Sequence, residues 1–348
     1  MSAQQVEKQK PKAVTTPQSA PVGHVGAAGP AQQAGGNAAA AWKGYVQSMD
    51  AKGDAPPPRL EVLDALLQGP DVTAGPLETQ GPAPAPGKKD DKPVTPAEMS
   101  GIGTSLVVDR FIAAAKLVQK DWGTLTPENR GARLGKAATD ELKAINVYEP
   151  AIQVANIGSN AGQFQLTTWT LAIGLPQMSL PKVDDESAGN VAGTMFHEAR
   201  HCEQFHRVAR LLAGQGMSAS DIAKKMSIPV KTAADAATKP LKGDSADGKE
   251  AAPWLDSVYG GGADARTAVL TEMPRLRVPM AAALAEYDAL AKDPKADPKA
   301  KAAAFKKWQD AYAAWKVSYD KYRALPEEAD AWKIGGKTRA GYKGPAKK

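Results

Sequence analysis

Three of the four histidines in this 348-residue chain fall between positions 197 and 206, two of them within His197-Glu198-Ala199-Arg200-His201. On a helix, residues i and i+4 project from one face one turn apart, so both imidazoles can reach a common cation. In a strand the same two residues would stand about 13 Å apart, so the pair has a use only if this stretch is helical. Glu198 then lies about 100° round the helix from His197. It is off the ligand line but can take a proton from water at the metal. The flanks agree with a helix. Asp184–Ser187 can cap it, and Gly214-Gln-Gly216 can stop it after about Ala213. Thr194, Met195 and Phe196 indicate that it is mostly buried, where two histidines and a glutamate are costly to leave without partners. A Zn²⁺ site at His197 and His201 with Glu198 as general base is the expectation.

The surroundings read as mostly helical with a little sheet. Apolar spacing predicts a helix over Ser105–Trp122, and Thr126-Pro-Glu-Asn supplies the cap and first-turn proline of another. Ala151–Ile157 and Gln163–Ile173 are rich in β-branched and aromatic residues around Gly158-Ser-Asn-Ala-Gly162, which predicts an antiparallel β-hairpin beside the active-site helix. Helices are expected at 219–226, at 264–290 with Pro274 and Pro279 as break points, and at about 298–324. A short one should follow Pro326. The fold class is α+β.

Composition bounds the rest. With 43% apolar and 24% charged residues, a water-soluble core is expected. No apolar run approaches the ~18 residues of a membrane span. The single Cys202 can form neither an internal disulfide nor a thiolate zinc site. Residues 1–98 hold 14 of the 27 prolines and read as a disordered Pro/Ala/Gly-rich leader, with transient helices around Trp42–Val46 and Arg59–Gln68. The first residues contain no apolar core of a secretory signal. Residues 99–340 form the expected domain and 341–348 a basic tail. Residues 292–348 carry 15 Lys+Arg against 7 Asp+Glu, an excess that accounts for the whole net charge of +6. A solvated helix face with a lysine tail explains it most simply.

The His-Glu-Ala-Arg-His helix resembles that of the zincin metallopeptidases, in which it supplies two zinc ligands and the general base. That likeness implies peptide-bond hydrolysis and a third ligand elsewhere. Tyr322-Arg-Ala-Leu-Pro326-Glu-Glu-Ala-Asp-Ala-Trp332 is similar to the third-ligand helix of gluzincin-type enzymes. It places the ligand at Glu328, with Glu327 the near alternative and Asp330 a group that orients a ligand histidine. Proline starts this helix, and a glutamate near the positive end is stabilised as a carboxylate. His206 would be a metzincin-like choice, but it sits five residues after His201 rather than six. Asp256-Ser-Val-Tyr-Gly260 resembles the end of the aspzincin signature and makes Asp256 another alternative; Glu272 is a remote one. Tyr259, Tyr322 and Arg200 are the possible oxyanion donors.

More loosely, the domain is similar to toxin-type effector metallopeptidases of bacterial contractile injection systems. That likeness implies synthesis in the bacterial cytoplasm and export without a Sec signal, with the leader engaging the machine. A competing reading is a non-enzymatic nucleic-acid-binding protein. Residues 218–236 resemble a helix-turn-helix, with Ser227-Ile-Pro as the turn and Lys231 and Thr232 opening the second helix, and the C-terminal region is basic. That second helix is Ala-rich and poor in cations, so a hairpin packed beside the active-site helix is the preferred expectation. Trp308, Tyr312, Trp315, Tyr319 and Tyr322 recur at spacings of three and four, a core-packing stripe rather than a stacking platform.

Overall fold

The computed structural model describes residues 100–157 and 161–343. The expectations for the leader, including the helices around 42–46 and 59–68, for positions 158–160 and for the tail beyond 343 lie outside the described residues. The elements, in order, are α1 (Ser105–Lys120), α2 (Pro127–Ala144), β1 (Ala151–Ala155), β2 (Gly162–Gln165), β3 (Thr170–Gly174), α3 (Asp185–Gly214) and α4 (Ala219–Met226). Then come α5 (Val230–Thr238), α6 (Ala246–Tyr259), α7 (Ala263–Lys292), α8 (Pro298–Arg323) and α9 (Pro326–Lys343). The fold is mostly helical α+β. Among the described residues no helix is long and apolar enough to cross a membrane.

Helix α3 is the element round which the others pack. The Asp184 carboxylate accepts from Ser187 N at 2.8 Å, the side-chain cap its sequence offers. From Val191 to Gln204 every side chain is buried, so the helix is enclosed on all sides. It touches α9, α6, α5, α2 and the sheet. Its closest neighbour is α9, which runs antiparallel to it. A Cβ on Gly193 would come within 2.9 Å of the Gly335 carbonyl, so only glycine lets the two backbones lie this near. Helix α9 is eighteen residues long rather than short.

The sheet corrects the expected hairpin. Strand order is β1-β3-β2, with β1 parallel to β3 and β2 antiparallel to it. The two predicted strands therefore do not pair across Gly158–Gly162. The second of them divides at Leu166–Trp169, where the Trp169 N–H donates to the Leu166 carbonyl and Trp169 takes φ 55°. A tryptophan in that conformation is strained. It is held by burial of its ring and by its indole N–H donating to the Tyr148 carbonyl at 3.0 Å. The antiparallel pair is thus β2–β3, and β3 lies in the middle, buried at all five positions.

Helix α6, which no sequence signal marked, starts at a Ser245 cap and carries Pro253 inside it. Helix α7 runs unbroken through Pro274 and Pro279. It forms an antiparallel pair with α8 around Met280, Ala283, Leu284 and Trp308, a small apolar core separate from that of the body.

Candidate metal centre

His197 and His201, one turn apart on α3, meet Glu328 from the first turn of α9. The His197 and His201 Nε2 atoms are 3.1 Å apart, and Glu328 Oε2 lies 3.7 and 3.5 Å from them. All three side chains are buried. A circle through atoms separated by 3.1, 3.5 and 3.7 Å has a radius of about 2.0 Å, the Zn–N and Zn–O bond length. Two imidazoles and one carboxylate are also a ligand set of catalytic zinc. The residues fit a zinc ion. Among the described residues no other group of three His, Cys, Asp or Glu is placed to hold a metal.

The histidine tautomer is set by a chain of buried hydrogen bonds. Gln204 Nε2 donates to the Glu327 carbonyl at 2.8 Å and to Asp330 Oδ2 at 2.7 Å, so its Oε1 must be the acceptor for His201 Nδ1 at 2.8 Å. With the proton on Nδ1, the neutral His201 ring presents its Nε2 lone pair to the centre. Asp330 in turn accepts from Arg200 Nε at 2.7 Å. The Trp332 ring stands 4.9 Å from the His197 ring and holds it from behind. Burial disfavours the His201 imidazolium, but the facing Glu328 carboxylate outweighs it and carries the group up to about 9. Burial likewise opposes the Glu328 carboxylate, yet His201 and His197 hold it down to about 2, and Tyr322 hydrogen-bonds to it.

Glu198 is turned toward the sheet. Its Oε2 accepts from the Phe164 N–H of edge strand β2 at 2.8 Å. Gly162 on the same strand leaves room for it, since a Cβ there would lie 2.6 Å from Thr194 Cγ2 and 3.0 Å from Glu198 Cγ. The three metal-site residues and Glu198 line one cleft of about 470 Å³, closed on the other side by α7 and α8.

The alternatives for the third position are engaged elsewhere, although Glu327 lines the same cleft. Glu327 is one residue, or about 100°, round α9 and binds Arg266 Nε at 2.7 Å. His206 is buried against α5, with Nε2 3.0 Å from Asp235. Asp256 caps its own helix end, accepting from Gly261 N at 2.9 Å. Glu272 pairs with Arg275 on the surface of α7 at 2.7 Å. Asp330 reaches His201 through Gln204 rather than directly. Of the expected oxyanion donors, Tyr322 lines the cleft. Tyr259 OH donates to the Met226 carbonyl, and fully buried Arg200 binds Glu203, Glu250 and Asp330.

This ionic group joins the site to the start of the domain. Arg200 NH1 donates to the Ser100 carbonyl at 3.1 Å, Ile102 N donates to Glu203 at 3.1 Å, and Arg207 bridges Glu203 and Glu250. No sequence signal pointed to Gln204, Glu250 or Ser100. The 218–236 segment is a helix pair, α4 and α5, with Ser227 left-handed between them. Helix α5 buries Thr232, Ala233 and Ala236 and packs on α3, leaving Lys231 exposed. No family model, curated protein or solved structure matches this chain.

Proposed function

We propose that residues 100–343 form a zinc-dependent metallopeptidase, with His197, His201 and Glu328 holding the ion and Glu198 acting as general base. The observation that carries this reading is the ligand triangle beside Glu198 at the floor of a cleft. A bound zinc ion supplies Lewis acidity, polarising a substrate carbonyl and making water more acidic. Glu198 takes the proton from the attacking water. The Phe164 N–H donates to its Oε2 and fixes the orientation of the carboxylate. Tyr322 lines the cleft, and its hydroxyl bonds Glu328 and steadies that carboxylate. Gly162, Gln163 and Phe164 of edge strand β2 line the same cleft. Export by a contractile injection system or another route without a Sec signal belongs to the same reading, with residues 1–98 as the segment engaged by the machine.

The test is metal analysis combined with peptide hydrolysis. Glu328→Ala should lose zinc at concentrations where Glu327→Ala, Asp256→Ala and His206→Ala retain it. Glu198→Gln should retain zinc and lose hydrolysis. Zinc retained by Glu328→Ala, or hydrolysis retained by Glu198→Gln, would overturn the assignments.

A further inference from the structure

The aromatic stripe on α8 does two things along its length. Phe305, Trp308, Tyr312, Trp315, Tyr319 and Tyr322 alternate at spacings of three and four, the seam of a two-helix contact. Neighbouring rings stand 5.6, 5.8, 5.8, 4.9 and 6.2 Å apart, so the stripe is continuous. Its first half is covered by Met280, Ala283 and Leu284 of α7, and Tyr287 lies 5.4 Å from Phe305. Its second half, Trp315, Tyr319 and Tyr322, forms a wall of the cleft that holds the metal triangle. Trp315 and Tyr319 stack on each other, 10° from parallel, and both line the cleft. Across the cleft, on the body, stand Phe164 and Phe205, themselves stacked at 6.0 Å. Phe164 is also the residue whose N–H binds Glu198, so the apolar walls begin beside the general base.

Trp315 packs partly against the same small core and also lines the cleft, while Tyr319 and Tyr322 carry the aromatic wall on toward the metal triangle. Aromatic faces on both sides of a cleft bind another ring or large apolar group by burial and by stacked or edge contacts. A cleft of about 470 Å³ is at the small end of ligand pockets and takes a few side chains of an extended segment. We infer that this cleft selects polypeptide segments by a large apolar side chain, aromatic above all, next to the bond that is cut. Trp315 and Tyr319 on one wall and Phe205 on the other determine that specificity. The inference rests on the metallopeptidase reading and names the substrate class of the same site.

The experiment uses the full chain loaded with zinc and a set of peptides that differ at one position: Trp, Phe, Leu, Ala, Glu or Lys. Cleavage is followed with the wild type, and binding is measured by calorimetry with Glu198→Gln. Phe and Trp peptides should exceed the Ala and Lys peptides by roughly 10–100-fold in both kcat/KM and affinity. Tyr319→Ala should erase most of that ratio while leaving one zinc per chain. Because Tyr319→Ala could loosen the α7–α8 pair, Phe205→Trp is the second variant. By narrowing the cleft it should shift preference from Trp and Phe toward Leu and Ala, a change that misfolding cannot mimic. Arg266 and Arg277 also line the cleft, so zinc-loaded protein that prefers the Glu peptide, prefers Lys, or cleaves or binds all six alike overturns the inference alone. An unchanged preference in both variants with zinc retained does the same. A wild type that neither binds zinc nor cleaves any peptide overturns the metallopeptidase reading itself.

Discussion

Replacing Gln204 by Leu separates a positioning role at the metal from plain packing. The two side chains are similar in size, so the fully buried site is neither emptied nor overfilled. What changes is polar. His201 Nδ1 loses the acceptor that stands at 2.8 Å, and the Glu327 carbonyl loses a donor at 2.8 Å. Asp330 loses one donor but keeps Arg200. Two buried groups left unsatisfied cost about 1–3 kcal/mol each, so the metal-free protein should be destabilised by about 2–6 kcal/mol. Zinc affinity should fall separately. Loss of the group that orients a ligand histidine typically weakens metal binding 10–100-fold, or about 1.4–2.8 kcal/mol.

Chemical denaturation of metal-free protein gives the first quantity, and competition with a chromogenic chelator gives the second. Gln204→Glu is the informative companion, because it restores an acceptor for His201 while facing Asp330 with like charge. It should recover part of the zinc affinity without recovering the stability. If Gln204→Leu binds zinc within about twofold of wild type, the hydrogen-bond chain stabilises the fold and does not orient the ligand. The reasoning about the tautomer would then be wrong.

Gly162→Ala should cut hydrolysis at least tenfold with zinc retained, since the new methyl presses on Thr194 and on Glu198 rather than on a ligand; zinc loss or unimpaired turnover would count against that geometry. His206 supplies the pH dependence of stability. Burial pulls it down to about 4 despite the Asp235 partner, whereas in the unfolded chain it titrates near 6.5. The folded value is the lower one, so its contribution is complete above pH 6.5 and drains away as pH falls toward 4. His206→Gln should flatten the fall in unfolding free energy between pH 6.5 and 4.5, and an unchanged slope would place the proton uptake on another group.

Legibility followed the range of the signal. The start of α3 was readable because Asp184 caps within three residues, and the i, i+4 pair because a helix has only one phase. The pairing of β1 with β3 was not, since strand partners are chosen by distant contacts and Leu166–Trp169 contains none of the Gly, Pro or Asn that usually mark a reversal. Helix α6 was hidden by Gly248 and Pro253, and the length of α9 by Gly335, Gly336 and Gly341. In α9 the apparent breaker Gly335 is required, because a side chain there would hold the two backbones apart at Gly193. The buried ionic group could not be read either. Arg200, Glu250 and Asp330 are far apart in sequence, and nothing local to any of them shows that the three meet.

Glu327 and Glu328 show why a site needs both levels. Both sit in the first turn of α9, and both gain from its positive end, so local chemistry does not choose between them. The choice is made by the phase of α9 against α3. The glycine contact sets how close the two helices lie, and the Gln204 bonds to the Glu327 carbonyl and to Asp330 set how α9 is rotated. With that rotation Glu328 points at the histidine pair and Glu327 at Arg266. Turning α9 by one residue would exchange the two carboxylates and break both Gln204 bonds. The same amide therefore orients His201 on one helix and selects the acid from the other, which is why its removal should be felt at the metal.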